Sequence, residues 1–104
     1  MALPTLTKEE RAAALLKAAA ARKVRASLRE KLKNGEMNLA DAFSRIQTDE
    51  AVAKMKVIAL LESMPGVGKI RAENLMERIG IASSRRLRGL GPNQLNALLA
   101  EFSS

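Results

Sequence analysis

Residues 65–69, Pro-Gly-Val-Gly-Lys, set two glycines and a lysine behind a proline, a combination that can serve the oxygens of a nucleotide or of a nucleic-acid backbone. A triphosphate loop has the form G-x-x-x-x-G-K-[ST] between a strand and a helix. Counting back from Gly68, its first glycine falls on Ser63, and Ile70 stands where the magnesium-binding hydroxyl belongs. The stretch before it, "KMKVIALLE" at 54–62, is not a bounded strand. The triphosphate is therefore excluded, and a phosphodiester backbone remains. Pro65 fixes one φ, while Gly66 and Gly68 can take φ > 0 and let another backbone approach. The free N–H groups of a helix beginning near Lys69 would point outward with the positive end of its dipole. Gly66, Val67, Gly68, Lys69 and Arg71 are the candidate contacts at this start.

A second helix start follows "SSRRLRGLGPN", with Ser84, Arg85, Arg86, Arg88 and Asn93 as candidates. Leu87 and Leu90, between the charges, would pin this loop to the core, leaving the arginines no core role. A helix over 69–79 is about 16 Å long. Residues 81–91 can stretch to roughly 35 Å, so the chain can run back and bring both helix starts to one side. Taken singly, each segment has an ordinary alternative, a tight turn in one case and solvated charge in the other. Three arginines in four residues beside glycines weigh toward phosphate.

Composition narrows the partner. The 104 residues carry 18 Lys and Arg against 11 acids, a net charge of +7, which favours polyanions. With no Cys and no His, disulfides, thiol nucleophiles, an imidazole base and nearly every zinc ligand set are removed. No activated Ser, Lys or carboxylate is marked, so no catalytic residue, metal or cofactor is expected. Phe43 and Phe102 are the only aromatic residues, too few for the stacking platforms that grip single strands. A duplex or a folded RNA is favoured. "MALPTLTKEE" lacks the basic flank and apolar core of a signal peptide, and no apolar run reaches membrane-spanning length. The expectation is a soluble cytoplasmic protein.

The elements that must position these residues are helical. Thr7 and Glu10 form a capping-box pattern at the head of an Ala-, Leu-, Lys- and Arg-rich stretch without Gly or Pro until Gly35. This predicts a helix of roughly 26 residues, about 40 Å long. Leu16, Ala20, Val24, Leu28 and Leu32 make a narrow apolar stripe, and Arg11, Arg22, Arg25, Arg29 and Lys33 a basic face. That face is a candidate second surface for phosphate contact, with solvation as the ordinary alternative. The alanine-rich first half has little to bury and is expected to project. Asn38 caps a short helix with Leu39, Ala42, Phe43 and Ile46 inward. Thr48, Asp49 and Glu50 open one or two more, burying Val57, Leu60, Leu61 and Met64. A helix over 69–79 with Ile70, Leu75, Met76 and Ile79 inward stops at Gly80. Pro92 opens the last one, through Leu95, Leu98, Leu99 and Phe102. No segment has a convincing strand period, so the fold class is all-α. Charge is +6 over 1–33, −2 over 34–63 and +3 over 64–104.

"LLESMPGVGKIRAENLMERIGI" followed by "SSRRLRGLGPNQLNALL" resembles a helix–two-turns–helix module, which occurs in a small-subunit ribosomal protein and in formamidopyrimidine-type DNA glycosylases. With "MALPTLT", the basic alanine-rich helix, "KMKVIALLESMPGVGK" and "RRLRGLG", the whole chain resembles the actinobacterial integration host factor. The resemblance implies a nucleoid-associated, largely sequence-independent binder of double-stranded DNA that assists a site-specific recombinase. It also implies backbone contacts at Gly66, Gly68, Lys69 and the 84–88 turn. The expected organisation is a basic helical arm over 1–35 and a helical domain over 36–104, with the module core at 57–103. The protein is expected to be a monomer in solution and to locate to the nucleoid.

Three other classes are weighed against this one. An RNA-binding, ribosomal-protein-like role uses the same module, but the chain ends in "AEFSS", without a long basic tail. A repair enzyme of the glycosylase type uses an N-terminal proline amine, and here Met-Ala-Leu precedes Pro4, so no enzyme is expected. A membrane-surface helix would want Trp or Phe anchors, which the Ala-diluted stripe lacks.

Overall fold

A computed structural model describes residues 7–102. Pro4, with the rest of "MALPTL", and residue 103 of the expected module core lie outside the described residues. Six α-helices follow in order: α1 (Lys8–Lys33), α2 (Leu39–Ser44), α3 (Glu50–Ala53), α4 (Val57–Glu62), α5 (Lys69–Ile79) and α6 (Pro92–Phe102), with one 3₁₀ turn at Leu87–Gly89. Among the described residues there is no strand, only a single antiparallel bridge between Lys56 and Arg86. The all-α expectation holds. No helix among them is long and apolar enough to cross a membrane.

Local chemistry sets the boundaries. Thr7 Oγ1 accepts from the Glu10 N–H at 3.1 Å, so the Thr7 half of the expected capping box forms. At α2 the box is complete, because Asn38 and Asp41 each accept from the other's N–H, at 2.8 and 3.1 Å. Asp49 caps α3 by accepting from the Ala51 N–H. Pro65 follows α4, Gly80 closes α5 in the left-handed conformation, and Pro92 begins α6.

The core is one aliphatic cluster. Leu28 and Leu32 of α1, Val57, Leu60 and Leu61 of α4, Ala72 and Met76 of α5, Leu87, Leu90 and Leu98 all belong to it. Leu87 and Leu90 thus anchor the arginine loop as expected. The apolar stripe of α1 is used in only one half: Leu28 and Leu32 are buried, Val24 is half-buried, but Leu16 is 72 % exposed. Every residue from 7 to 20 is exposed. The projecting helix gives extents of 50 × 33 × 25 Å and a radius of gyration of 15.8 Å, where a compact chain of this length would have about 13 Å.

The last turns of the 1–35 segment are therefore part of the core that the rest of the chain needs. On α5 the inward stripe is Ala72, Leu75, Met76 and Ile79, and Ile70 is 74 % exposed. The inward placement expected for Ile70 is corrected: Ala72 leads a 0, 3, 4, 7 spacing, which Ile70 does not fit. Leu32→Ala should lower the unfolding free energy by about 3 kcal/mol, whereas Leu16→Ala should change it by less than about 0.5 kcal/mol. Urea unfolding of both variants checks this.

Candidate nucleic-acid interface

Two basic sites emerge, and they differ from the pairing the sequence offers. The first is the start of α5. Gly66 has φ 75°, so it turns the chain as expected, while Gly68 has φ −89° and ψ 179°, ordinary extended backbone. The left-handed conformation expected at Gly68 is corrected. Nor does packing require glycine there, since a Cβ built on Gly68 meets nothing within 4 Å. Gly68 is thus free to face an approaching backbone. No side chain caps α5, and the first N–H used inside it is that of Ala72, which donates to the Gly68 carbonyl at 3.0 Å. The N–H groups of Lys69, Ile70 and Arg71 are therefore free to meet an anion. The Lys69 and Arg71 side chains are exposed beside them. Val67 contributes no side chain to this site. It is buried at 6 % exposure, and its N–H donates to the Met64 carbonyl.

The second site is a groove lined by Arg22, Arg25 and Arg29 of α1, Lys54 and Lys56 from the connection between α3 and α4, and Arg86. Six cations from three separate stretches meet over Ala26, Met55 and Ala59. The arginine loop is stapled there. The Val57 N–H donates to the Arg85 carbonyl at 3.0 Å and the Leu87 N–H to the Met55 carbonyl at 2.9 Å. Arg86 Nη1 donates to the Lys54 carbonyl at 2.6 Å. Arg85 Nη1 donates to the Gly89 carbonyl at 2.7 Å, and its Cδ would lie 2.9 Å from a Cβ at Gly89. As expected, neither arginine belongs to the core, but each also orders its own loop.

On the other wall, Arg29 Nε donates to Ser63 Oγ at 2.7 Å, and this buried hydroxyl donates to the Ala59 carbonyl at 2.8 Å. Arg29 therefore ties α1 to the residue that ends α4, three positions before Gly66. Glu50 is the nearby acid. Its carboxylate bonds Lys54 at 2.7 Å and pairs loosely with Lys17 at 3.9 Å. The Lys54 hydrogen bond, then the Lys17 charge, hold its pKa below the ordinary carboxylate value.

Other expected residues fall elsewhere. Arg11 sits in the exposed first turns of α1, about 16 Å of helix from Arg22. Lys33 is exposed at the last position of α1, and Ser84 and Arg88 are exposed in the loop. Asn93 is exposed in the first turn of α6. That turn is filled by its own chain: Gln94 Oε1 accepts from the Gly91 N–H, and Gln94 Nε2 donates to the Gly80 carbonyl, both at 3.1 Å. Because Gly80 ends α5, the two helix starts stand at opposite ends of that helix, and the expected paired cradle is corrected. Lys54 and Lys56 were absent from the sequence candidates. Their only local signal is "KMK" inside a segment of net negative charge.

Six helices with an uncapped, glycine-preceded start and a cationic groove define a helix–two-turns–helix protein with a long basic N-terminal helix. Residues 32–102 match the model of the S13-like H2TH domain. Over its full length the chain is 56 % identical to the integration host factor of Streptomyces coelicolor, covering 97 % of that protein. It is 55 % identical to that of Mycobacterium tuberculosis, again over its full length and 99 % of the relative. A solved structure, described as sIHF bound to an 8bp palindromic DNA, matches with a TM-score of 0.81 and 52 % identity, covering 84 % of this chain and 98 % of that one. The chain belongs to the actinobacterial integration host factor family.

The two turn glycines should separate in thermal melts. Gly66→Ala should cost about 1–2 kcal/mol because φ is positive there, while Gly68→Ala should stay within about 0.5 kcal/mol of the parent.

Proposed function

We propose that this protein binds double-stranded DNA through the phosphate backbone, with little sequence preference, and acts in the nucleoid by bending, bridging or compacting it. The observation that carries the reading is the start of α5. Its three free N–H groups, Lys69 and Arg71 surround Gly68, a glycine that neither the backbone angle nor the packing demands. The relative described as bound to DNA supports the same reading. The groove of Arg22, Arg25, Arg29, Lys54, Lys56 and Arg86 is the second contact surface. It runs beside α4, a helix of about 9 Å, and reaches Ser63, close to the first site. A duplex following both surfaces must curve around α4, and two duplexes, one on each, would be bridged. The protein acts as a monomer, without a cofactor, and assists a site-specific recombinase by shaping the DNA on which it works.

The S13-like character of the matched domain favours one alternative, a structured RNA held through the same α5 start. Retention on duplex DNA against structured RNA at equal salt separates the two.

If about five phosphates are neutralised, log K against log salt should fall with a slope of about −4 to −5. A slope near −1, or a preference above about a hundredfold for one short sequence, would rule this reading out. Deleting residues 1–35 would remove Leu28 and Leu32 from the core, so the groove is better tested by Arg22→Glu with Arg25→Glu in the full chain. That variant should still bind a short duplex, with the slope shallower by about 2, and should no longer compact or bridge long DNA. Undiminished compaction by the folded variant would remove the groove from the mechanism.

A further inference from the structure

Three large apolar side chains are conspicuously exposed among the described residues: Leu15, Leu16 and Ile70. The two leucines stand on the projecting half of α1, where everything is exposed. Ile70 does not. It lies in the body of the fold, 74 % exposed, off the inward stripe of its own helix. Isolated exposed aliphatics are ordinary on protein surfaces, but this one stands between two cations at an uncapped helix start.

Ile70 is the second residue of α5, between Lys69 and Arg71, and all three have free N–H groups. Side chains on a helix lean toward its N-terminus, so the aliphatic group of Ile70 leans toward the space those N–H groups face. A free inorganic anion would use the N–H groups and the cations but gain nothing from a branched hydrocarbon. A polynucleotide strand offers both, because its charged phosphates alternate with the C–H faces of its sugars. In DNA the 2′ carbon carries only hydrogen. In RNA it carries a hydroxyl, which loses its water when pressed against an aliphatic surface that cannot hydrogen-bond to it.

We propose that Ile70 packs on a deoxyribose of the bound strand and biases the α5 site toward DNA over RNA. The inference rests on the α5 start being a backbone site, as proposed above. The contact adds affinity by removing apolar surface from water and releases no counterions, so its signature differs from that of a lysine.

The test measures binding of a short DNA duplex and of the RNA duplex of the same sequence at several salt concentrations, for Ile70→Ala, Ile70→Leu and Lys69→Ala. Ile70→Ala should fold as the parent does and weaken DNA binding about five- to tenfold with an unchanged salt slope. Its RNA binding should fall less than about twofold, and Ile70→Leu should retain most of the DNA affinity. Lys69→Ala should instead make the slope shallower by about 1. Parent-like DNA binding by Ile70→Ala, with Lys69→Ala still impaired, overturns the sugar contact alone. So does an equal loss on DNA and RNA. Parent-like binding by both alanine variants overturns the placement of the site itself.

Discussion

Burial of the apolar face of α4 is the constraint from which the rest of the molecule follows. Val57, Leu60 and Leu61 have no exposed surface, although the helix that carries them is only six residues long. So short a helix has little stability of its own and must be enclosed. It is followed by the Pro65–Gly66 turn into α5, which packs against it. It is preceded by the Lys54–Lys56 connection, to which the arginine loop is bonded. The Arg29 bond to Ser63 closes its far end. Enclosing one apolar helix thus sets the α5 start, the Lys54–Lys56 connection, the arginine loop and Arg29 around it. The basic surface is a by-product of core formation, with its residues held by the elements that enclose α4.

That arrangement carries an electrostatic consequence. Six cations line the groove, and Lys54 among them is engaged by Glu50. Like charges held this close repel one another, and the repulsion is screened by salt. Two of the arginines are partly occupied with backbone carbonyls or a hydroxyl, which fixes their position without neutralising them. A polyanion in the groove would relieve the repulsion and so stabilise the folded state as it binds.

Much of this was legible in the sequence because it is written in local punctuation. Asn38, Asp49, Pro65, Gly80 and Pro92 each act on the residues beside them, and the helices begin and end where these residues say. The long basic helix, the buried Leu87 and Leu90 and a helix starting just after Gly68 were equally readable. What was hidden depends on contacts distant in sequence. Lys54 and Lys56 join the groove through a single bridge to a loop some thirty residues away, and one bridge has no periodicity to detect. Gln94, not loop length, decides where α6 begins relative to α5. At Gly68 the residue type permitted a conformation that the chain does not use. Ile70 resembled a core residue by type, and only the register of Ala72, Leu75 and Met76 shows that it is not one.

The half-buried α1 has a mechanical meaning. It is clamped at one end by Leu28, Leu32 and Arg29, while the thirteen residues from Lys8 to Ala20 stay exposed for about 20 Å, the loose Lys17–Glu50 pair tying their middle to α3. Such a beam magnifies whatever play its clamp allows. About 10° of rotation at the clamp would carry the free end through about 3.5 Å, close to the ~3.4 Å rise between successive base pairs. Arg11, near the tip, would then follow a phosphate displaced by about 2 Å, while Arg25 and Arg29, near the pivot, stayed where they were. A rigid cantilever on a slightly compliant mount would fit a stretched or compressed duplex without changing its own fold.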